Sequence, residues 1–197
     1  DEVNFIQLWI IPEEMNVEPN YEQRKFDSFV TAKVLYSNQV NSVKTPTPII
    51  NVPQSLSIVS EEQIRNQAFL DMGDVIRYTP GVAISQGEGH RDAIIIRGIQ
   101  TTADFFVDGI RDDVQYYRPL YNLEQLEVLR GPNALLFGRG GTGGILNWVT
   151  KKAEIGSSFS QITAYADSFG AGGLQGDLNL GLTDSVAFRL NAMAEGL

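Results

Sequence analysis

The sequence predicts a small α+β domain followed by antiparallel strands, because two different textures follow one another along the chain. From Pro53 to about Lys152, short apolar runs alternate with helix-capping and turn residues, as in a compact mixed domain. From residue 153 to residue 197, apolar and polar side chains alternate with a period of two, as in strands with one apolar face. Residues 1–52 have neither texture, and their prolines predict an extended arm.

The composition is that of an acidic, folded chain without cysteine. Of the 197 residues, 43% are hydrophobic, which is enough to build a core, and the formal net charge is -9. A nucleic-acid surface needs clustered Lys and Arg, so the acidic excess argues against one. The lack of cysteine excludes a disulfide scaffold and a thiolate metal site. No run approaches the ~18 apolar residues of a membrane-spanning helix, and we interpret Asp1 as a mature or trimmed end.

Two short helices are predicted inside the mixed domain. Ser60 and Gln63 have the spacing of a capping box, which starts a helix from Glu61 to about Phe69. A second helix is predicted from Asp71 to Tyr78, where a Pro-Gly pair follows.

Short β runs complete this domain. The segments "SLSIV", "AIIIRGI" and "FFVDGIRDD" are rich in β-branched or aromatic residues and are bounded by turn residues, so they predict strands. The segment "NLEQLEVLRGP", residues 122–132, is predicted to form a one-turn helix that leads into a strand.

A glycine-rich run, "RGPNALLFGRGGTGG" from Arg130 to Gly144, has two interpretations. Glycine-rich loops cradle phosphates, but they also let the chain bend tightly against other backbone. The run lacks the Lys followed by Ser or Thr of a phosphate loop and does not have the G-x-G-x-x-G spacing. The sequence therefore favours a tight, buried passage.

The last 45 residues predict a hairpin with one apolar and one polar face. In residues 174–182 the leucines share one face, whereas Gln175, Asp177 and Asn179 share the other. The same alternation continues in the next strand after a tight "TDS" turn; its apolar face is Val186, Phe188, Leu190, Ala192 and Ala194, and its other face is Ala187, Arg189, Asn191, Met193 and Glu195. A looser alternation in residues 158–167 predicts a third strand.

Such strands fit a half-buried sheet in a soluble protein as well as strands that cross an outer membrane. The small, polar and charged face beside an aliphatic one, repeated in hairpin-linked strands, favours the opening strands of a transmembrane β-barrel. Three strands cannot close a barrel, and an open edge in lipid leaves backbone groups unpaired. We therefore expect an incomplete chain, the front end of a larger protein.

Taken together in this order, the motifs carry a family resemblance. They are "VPQSLSIVSEEQI", "DVIRYTPGV", "IIIRGI", "FFVDGIRDD", "YNLEQLEVLRGPNALLFGRGGTGGILNWVTKK" and "FGAGGLQGDLNLGLTDSVAFRLNAMAE". Over roughly residues 51–195 the chain closely resembles TonB-dependent outer-membrane receptors, especially the ferric-siderophore branch. The resemblance implies a plug domain with a mixed four-stranded sheet, lodged in a barrel of ~22 strands in the bacterial outer membrane.

The resemblance also implies partners and a mechanism. A ferric siderophore or similar iron chelate is captured from outside, and the energised periplasmic protein TonB pulls on the plug through an extended segment, the TonB box. The best match is "SFVTA", which comprises Ser28, Phe29, Val30, Thr31 and Ala32. A strand-forming segment in an extended arm can add to the sheet edge of a partner. Residues 1–25 match none of the family motifs.

Two loops are implied to lie at the plug apex and to contact the cargo. The implied contacts are Gln86, His90 and Arg91 in the first loop, and Gln115, Tyr116, Tyr117 and Arg118 in the second. The adjacent tyrosines offer stacking surface to an aromatic or anionic chelate, or they pack against the barrel wall. Glu88, His90 and Asp92 follow one another at spacings of two, which is a weak metal pattern, and we expect no metal or cofactor.

Arg97 and Arg130 each precede a glycine at the end of a β run. The resemblance implies that such arginines pair with barrel carboxylates and lock the plug in place. No nucleophile, base and orienting group can be assembled around them, so we expect that the protein is not an enzyme. Two alternatives stay open: a receptor for another bulky nutrient such as a cobalamin or a glycan, and a periplasmic binding or signalling module that does not transport.

Overall fold

The computed structural model describes residues 54–131, 137, 138, 141 and 143–196. The TonB-box-like segment, Ser28 to Ala32, lies outside these residues. Within the described part of the chain, none of the helices has the length and hydrophobicity needed to span a bilayer.

The described residues form two short helices and eleven strands, joined by turns and loops. The helices are α1 (Glu61–Asn66) and α2 (Met72–Arg77). The strands are β1 (Ser55–Ser60), β2 (Val82–Ser85), β3 (Ala93–Ile96), β4 (Ile99–Thr101), β5 (Phe105–Val107), β6 (Ile110–Arg111), β7 (Leu123–Arg130), β8 (Gly144–Thr150), β9 (Phe159–Ala166), β10 (Gly172–Thr183) and β11 (Val186–Gly196).

Three sheets organise these strands. A mixed sheet has the order β1-β7-β8-β5-β6, in which only β5 and β8 run parallel. A small antiparallel sheet has the order β2-β3-β4, and a third antiparallel sheet has the order β11-β10-β9. The predicted fold class is confirmed: the mixed sheet has four main strands, to which the two-residue β6 adds an edge.

The helix starts follow the sequence signals. The Ser60 side chain accepts a hydrogen bond from the backbone N–H of Gln63, and Asp71 caps α2 in the same way. The first helix ends at Asn66, three residues earlier than predicted, because Ala68 adopts a left-handed φ of 52°. The N–H of Phe69 then returns to the carbonyl of Ile64 at 3.0 Å, which closes the helix end.

The predicted one-turn helix at residues 122–132 is wrong, because β7 starts at Leu123 directly after a turn. The register of β7 on β8 shifts between Leu123 and Gln125, so an irregularity interrupts the ladder there. Between β1 and β8, this central strand is buried on both faces along most of its length. The irregularity places Leu123 and Leu126 in the same core at a spacing of three residues, which resembles the spacing of a helix and explains the error.

The main hydrophobic core lies on one face of the mixed sheet, covered by the helices and the β2-β3-β4 sheet. Its most buried members include Val75, Ile94, Leu126 and Leu146, each essentially inaccessible to solvent. A smaller cluster of Phe106, Leu129 and Ile145 lies on the other face. The predicted mixed domain therefore has its own core.

The glycine-rich run ends in a close approach between strands. A Cβ on Gly143 would lie 2.7 Å from the carbonyl oxygen of Ile96, and one on Gly144 would meet the carbonyl of Leu129. Gly144 also has a φ of 147°, which side chains rarely adopt. The interpretation as a tight, buried passage is confirmed at these two positions.

Strands β9 to β11 show the predicted two-faced pattern. Phe188 and Leu190 are about half exposed (49% and 51%), whereas the intervening Arg189 points to the covered side. On β10, Asp177 and Asn179 are buried, and Leu182 is exposed. The polar face therefore lies against the rest of the chain, and the aliphatic face is left open.

Candidate functional site

The two loops that the resemblance implied as ligand contacts lie side by side. We call them the paired loops: residues 86–92, between β2 and β3, and residues 112–118, after β6. The backbone N–H of Asp92 donates to the carbonyl of Tyr116 at 3.2 Å, and the N–H of Arg118 donates to the Asp92 carboxylate at 2.8 Å. These reciprocal hydrogen bonds join the end of one loop to the end of the other.

Arg91 adds a third link between the paired loops. Its Nη1 donates to Oε1 of Gln115 at 2.6 Å, and its Nη2 donates to Oε1 of Glu88 at 3.2 Å. A backbone hydrogen bond and the nearby Arg91 charge hold the pKa of Glu88 below its ordinary value. The guanidinium therefore already serves partners in both loops.

Arg118 lies beneath the loop surface, with a side-chain exposure of 3%. Its Nη2 donates to the carbonyls of Asp112 and Val114 at 3.0 and 2.9 Å, and its Nε donates to the Asp112 carboxylate at 3.1 Å. The guanidinium carbon lies 3.9 Å from the ring centroid of Phe105 and 4.5 Å from that of Tyr116. Among the sequence-predicted contacts, Arg118 is thus the buried one.

The other predicted contacts lie closer to the surface. Gln86, His90 and Gln115 are exposed, and the tyrosines are partly exposed, at 38% for Tyr116 and 43% for Tyr117. Among the described residues, no cluster of three His, Asp or Glu side chains is arranged to hold a metal ion. The paired loops can offer amide groups, an imidazole and aromatic rings to a molecule above them.

The tyrosine hydroxyls differ in their surroundings. The hydroxyl of Tyr116 donates to Oδ2 of Asp112 at 2.8 Å. Burial and then this hydrogen bond to Asp112 raise the pKa of Tyr116 above its ordinary value. The hydroxyl of Tyr116 is therefore committed to the loop, which makes the more exposed Tyr117 the better placed to meet a ligand.

Arg97 and Arg130 lie near each other at the ends of β3 and β7. Arg130 donates to the Ser57 hydroxyl at 2.7 Å and to the Ser55 hydroxyl at 3.4 Å, so it crosses β1. Burial and then the Arg97 charge lower the pKa of Arg130. Within the described residues, neither guanidinium has an ion pair with a carboxylate.

A largely buried set of charges, which the sequence interpretation missed, joins the mixed domain to the β10-β11 hairpin. We call it the junction network: Glu61, Lys151, Asp177 and Arg189. Lys151 Nζ lies 2.9 Å from Glu61 Oε1 and 3.1 Å from Asp177 Oδ2. Arg189 donates to both carboxylate oxygens of Asp177, at 2.9 and 2.8 Å. The fork geometry makes this the best-aligned ion pair of the network.

Asn179 supports the junction network from the same face of β10. Its side-chain amide donates to the carbonyls of Glu154 and Ser157, each at 2.9 Å, and its Oδ1 accepts from the N–H of Glu154 at 2.9 Å. It therefore fixes the connection between β8 and β9. The alternation in the hairpin sequence already predicted Asp177, Asn179 and Arg189 on the polar face. This was the sequence signal from which the network could have been found.

Comparison with known protein families agrees with this geometry. Residues 48–145 match the family described as the TonB-dependent Receptor Plug Domain. The chain is 34% identical over 174 residues to the probable TonB-dependent receptor BfrD of Bordetella pertussis. This alignment covers 83% of this chain and 23% of that protein. It is 30% identical over 167 residues to the catecholate siderophore receptor Fiu of Escherichia coli K12, covering 82% and 22%.

Solved structures show the same fold. The open form of the ferric-catecholate import receptor Fiu from Escherichia coli K12 superposes with a TM-score of 0.73 at 28% identity, over 82% of this chain and 24% of that one. The siderophore receptor PiuA from Acinetobacter baumannii gives a TM-score of 0.73 at 26% identity, over 82% and 23%. The chain thus spans about a quarter of the length of the relatives it matches.

Proposed function

The chain belongs to the TonB-dependent receptor family, and on that premise we propose that it forms the front part of an outer-membrane receptor that imports a ferric siderophore. In this proposal residues 53–152 are the plug, and residues 153–197 are the opening strands of the surrounding barrel. The observation that carries the proposal is the two-faced hairpin, which turns its polar side onto the plug and leaves its aliphatic side open.

The paired loops are the proposed cargo site. The exposed side chains are those of Gln86, His90, Tyr116 and Tyr117, and their aromatic and amide groups suit a chelate with aromatic or anionic arms. Arg91 can donate to the cargo if it leaves Glu88 or Gln115. In this proposal Arg118 acts from beneath the surface.

The proposed lock consists of Arg97 and Arg130. Both are cations at strand ends. Within the described residues, the Arg130 guanidinium donates to the Ser57 hydroxyl, and the backbone N–H of Arg97 donates to the carbonyl of Gly81. A partly buried guanidinium that lacks a carboxylate partner is stabilised when one is supplied. In this proposal, carboxylates elsewhere in the receptor supply it and hold the plug in the barrel.

The decisive experiment replaces one residue of the proposed TonB box, Ser28 to Ala32. Val30→Pro in the full-length receptor removes the N–H that an added strand would use and prevents β-pairing with TonB. Energised uptake of radiolabelled ferric siderophore should fall to the level of cells that lack TonB, whereas binding of the siderophore to the cell surface should persist.

The matched control is Val43→Pro, which makes the same change in the arm outside the pentapeptide. Uptake by this variant should remain at the unmodified level. Normal uptake by Val30→Pro would show that the TonB box lies elsewhere. If the receptor took up cobalamin or a glycan and no ferric siderophore, the proposed cargo would be wrong.

A further inference from the structure

Arg118 connects the hydrophobic core to both paired loops, a role that surface contacts with a cargo do not require. One face of its guanidinium lies on Phe105, a core residue that is 1% exposed. The ring of Tyr116, at the surface, also lies within cation-π distance. The guanidinium is therefore held by one buried and one exposed ring, an arrangement that fixes its plane.

The hydrogen bonds of Arg118 fix the path of residues 112–118. Its side chain binds the carbonyls of Asp112 and Val114 and the carboxylate of Asp112, so three acceptor atoms on two residues of the loop share one donor group. A Lys ammonium at this position could not reach all three acceptors and stack on an aromatic ring, because it is a compact point charge. The loop conformation therefore depends on a guanidinium.

The main chain of Arg118 extends the same support to residues 86–92. Its N–H binds the Asp92 carboxylate at 2.8 Å, and Asp92 in turn donates its N–H to the carbonyl of Tyr116. Asp92 is 3% exposed, so loss of these bonds would leave a buried carboxylate poorly solvated. Movement of residue 118 must therefore disturb the other loop.

We propose that Arg118 is a positioning residue that makes the two paired loops a single rigid surface anchored on Phe105. This inference rests on the proposed function only in so far as that surface binds a cargo. Its structural content is that a change at residue 118 loosens residues 86–92, which belong to a different loop.

The first test measures amide hydrogen exchange in the full-length receptor without any cargo. In Arg118→Met and Arg118→Lys, amide exchange in both paired loops should accelerate by about tenfold or more. The hydrogen bonds of the charged guanidinium help to hold the loops in the conformation that protects their amides from exchange. The matched control is Arg77→Met, which removes an exposed arginine paired with Asp74 on α2 and should leave both loops unchanged.

If Arg118→Met does not fold, Asp112→Asn weakens the same guanidinium contact from its more exposed partner, and it should accelerate exchange in the same two loops. Faster exchange in residues 112–118 with unchanged exchange in residues 86–92 would overturn the inference, since Arg118 would then support its own loop alone.

The second test measures binding of the ferric complex of 2,3-dihydroxybenzoate to the same variants. Arg118→Met and Arg118→Lys should raise the Kd by about tenfold, whereas Arg77→Met should not change it. Loosened loops with an unaltered Kd would contradict a positioning role in binding. Failure of the unmodified receptor to bind this probe would count against the proposed cargo instead, and the exchange experiment would still decide whether Arg118 couples the loops.

Discussion

At the scale of single residues, burial decides which predicted contacts can meet a cargo. Arg118 and Tyr117 are neighbours in sequence, yet the arginine is almost fully buried and the tyrosine is 43% exposed. The sequence predicts both as members of one loop. It could not separate them, because the burial of Arg118 depends on Phe105, which comes from another strand.

Asp92 provides a prediction about pH. Burial raises its pKa above the ordinary 3.8, although the N–H and the charge of Arg118 oppose the shift. The folded state therefore binds this proton more tightly than the unfolded chain does. The stabilising contribution of protonated Asp92 is thus present at low pH and is lost as pH rises through the folded pKa. The Tm of the unmodified receptor should fall relative to that of Asp92→Asn as pH rises from about 4.

Thermal unfolding of both full-length proteins in detergent, over a series of pH values, checks this difference. Asp113→Asn is the control, because it removes an exposed carboxylate from the same region of the chain. If the Tm of the unmodified receptor instead rose relative to that of Asp92→Asn as pH increases, the predicted sign would be wrong.

At the scale of elements, local signals were sufficient where a capping side chain or burial on one face leaves a pattern in the sequence. Ser60 and Asp71 marked both helix starts, and the alternation of residues 186–195 gave the faces of β11. The signal was insufficient for β7, because the irregularity between Leu123 and Gln125 gives Leu123 and Leu126 a helix-like spacing in the same core. The order of the strands is a tertiary property that no local pattern encodes.

Gly144 offers a test of the contact between β7 and β8. In Gly144→Ala the new methyl group would meet the carbonyl of Leu129, and the φ of 147° would become strained. We expect the variant to lose about 3 kcal/mol or more of stability, since neither backbone can move without breaking the ladder. Thermal unfolding of the full-length receptor would detect the loss as a lower Tm.

Gly176→Ala is the control for this change. A Cβ there meets no atom within 4 Å, although Gly176 also lies within a strand. Its stability should stay within about 0.5 kcal/mol of the unmodified protein. Equal losses in the two variants would mean that the close approach at Gly144 does not limit stability.

At the scale of the whole molecule, the proposed barrel predicts opposite tolerances on the two faces of the hairpin. Leu190 lies on the open aliphatic face, so Leu190→Arg would place a charge in lipid. We expect a loss of about 2 kcal/mol or more in the free energy of folding into a bilayer. Urea titration of the full-length receptor in phosphatidylcholine vesicles measures this quantity.

Gln175→Arg places the same side chain on the opposite, polar face and should be tolerated far better. Similar costs at positions 175 and 190 would argue that the aliphatic face does not meet lipid. The sequence alone supported this asymmetry, because the period of two follows from strand geometry.

The junction network gives the molecule a property that its linear order conceals. Glu61 and Lys151 belong to the proposed plug, whereas Asp177 and Arg189 belong to the proposed barrel. The side chains of Lys151, Asp177 and Arg189 are only 8%, 9% and 7% exposed, and Glu61 pairs with Lys151 from a more exposed position. The Lys151–Asp177 ion pair and the hydrogen bond from Arg189 to the carbonyl of Lys152 cross between the two parts, so separating the parts would leave these buried groups with fewer partners. The plug and the first hairpin should therefore unfold and assemble as one cooperative unit, although the sequence divides them into two domains.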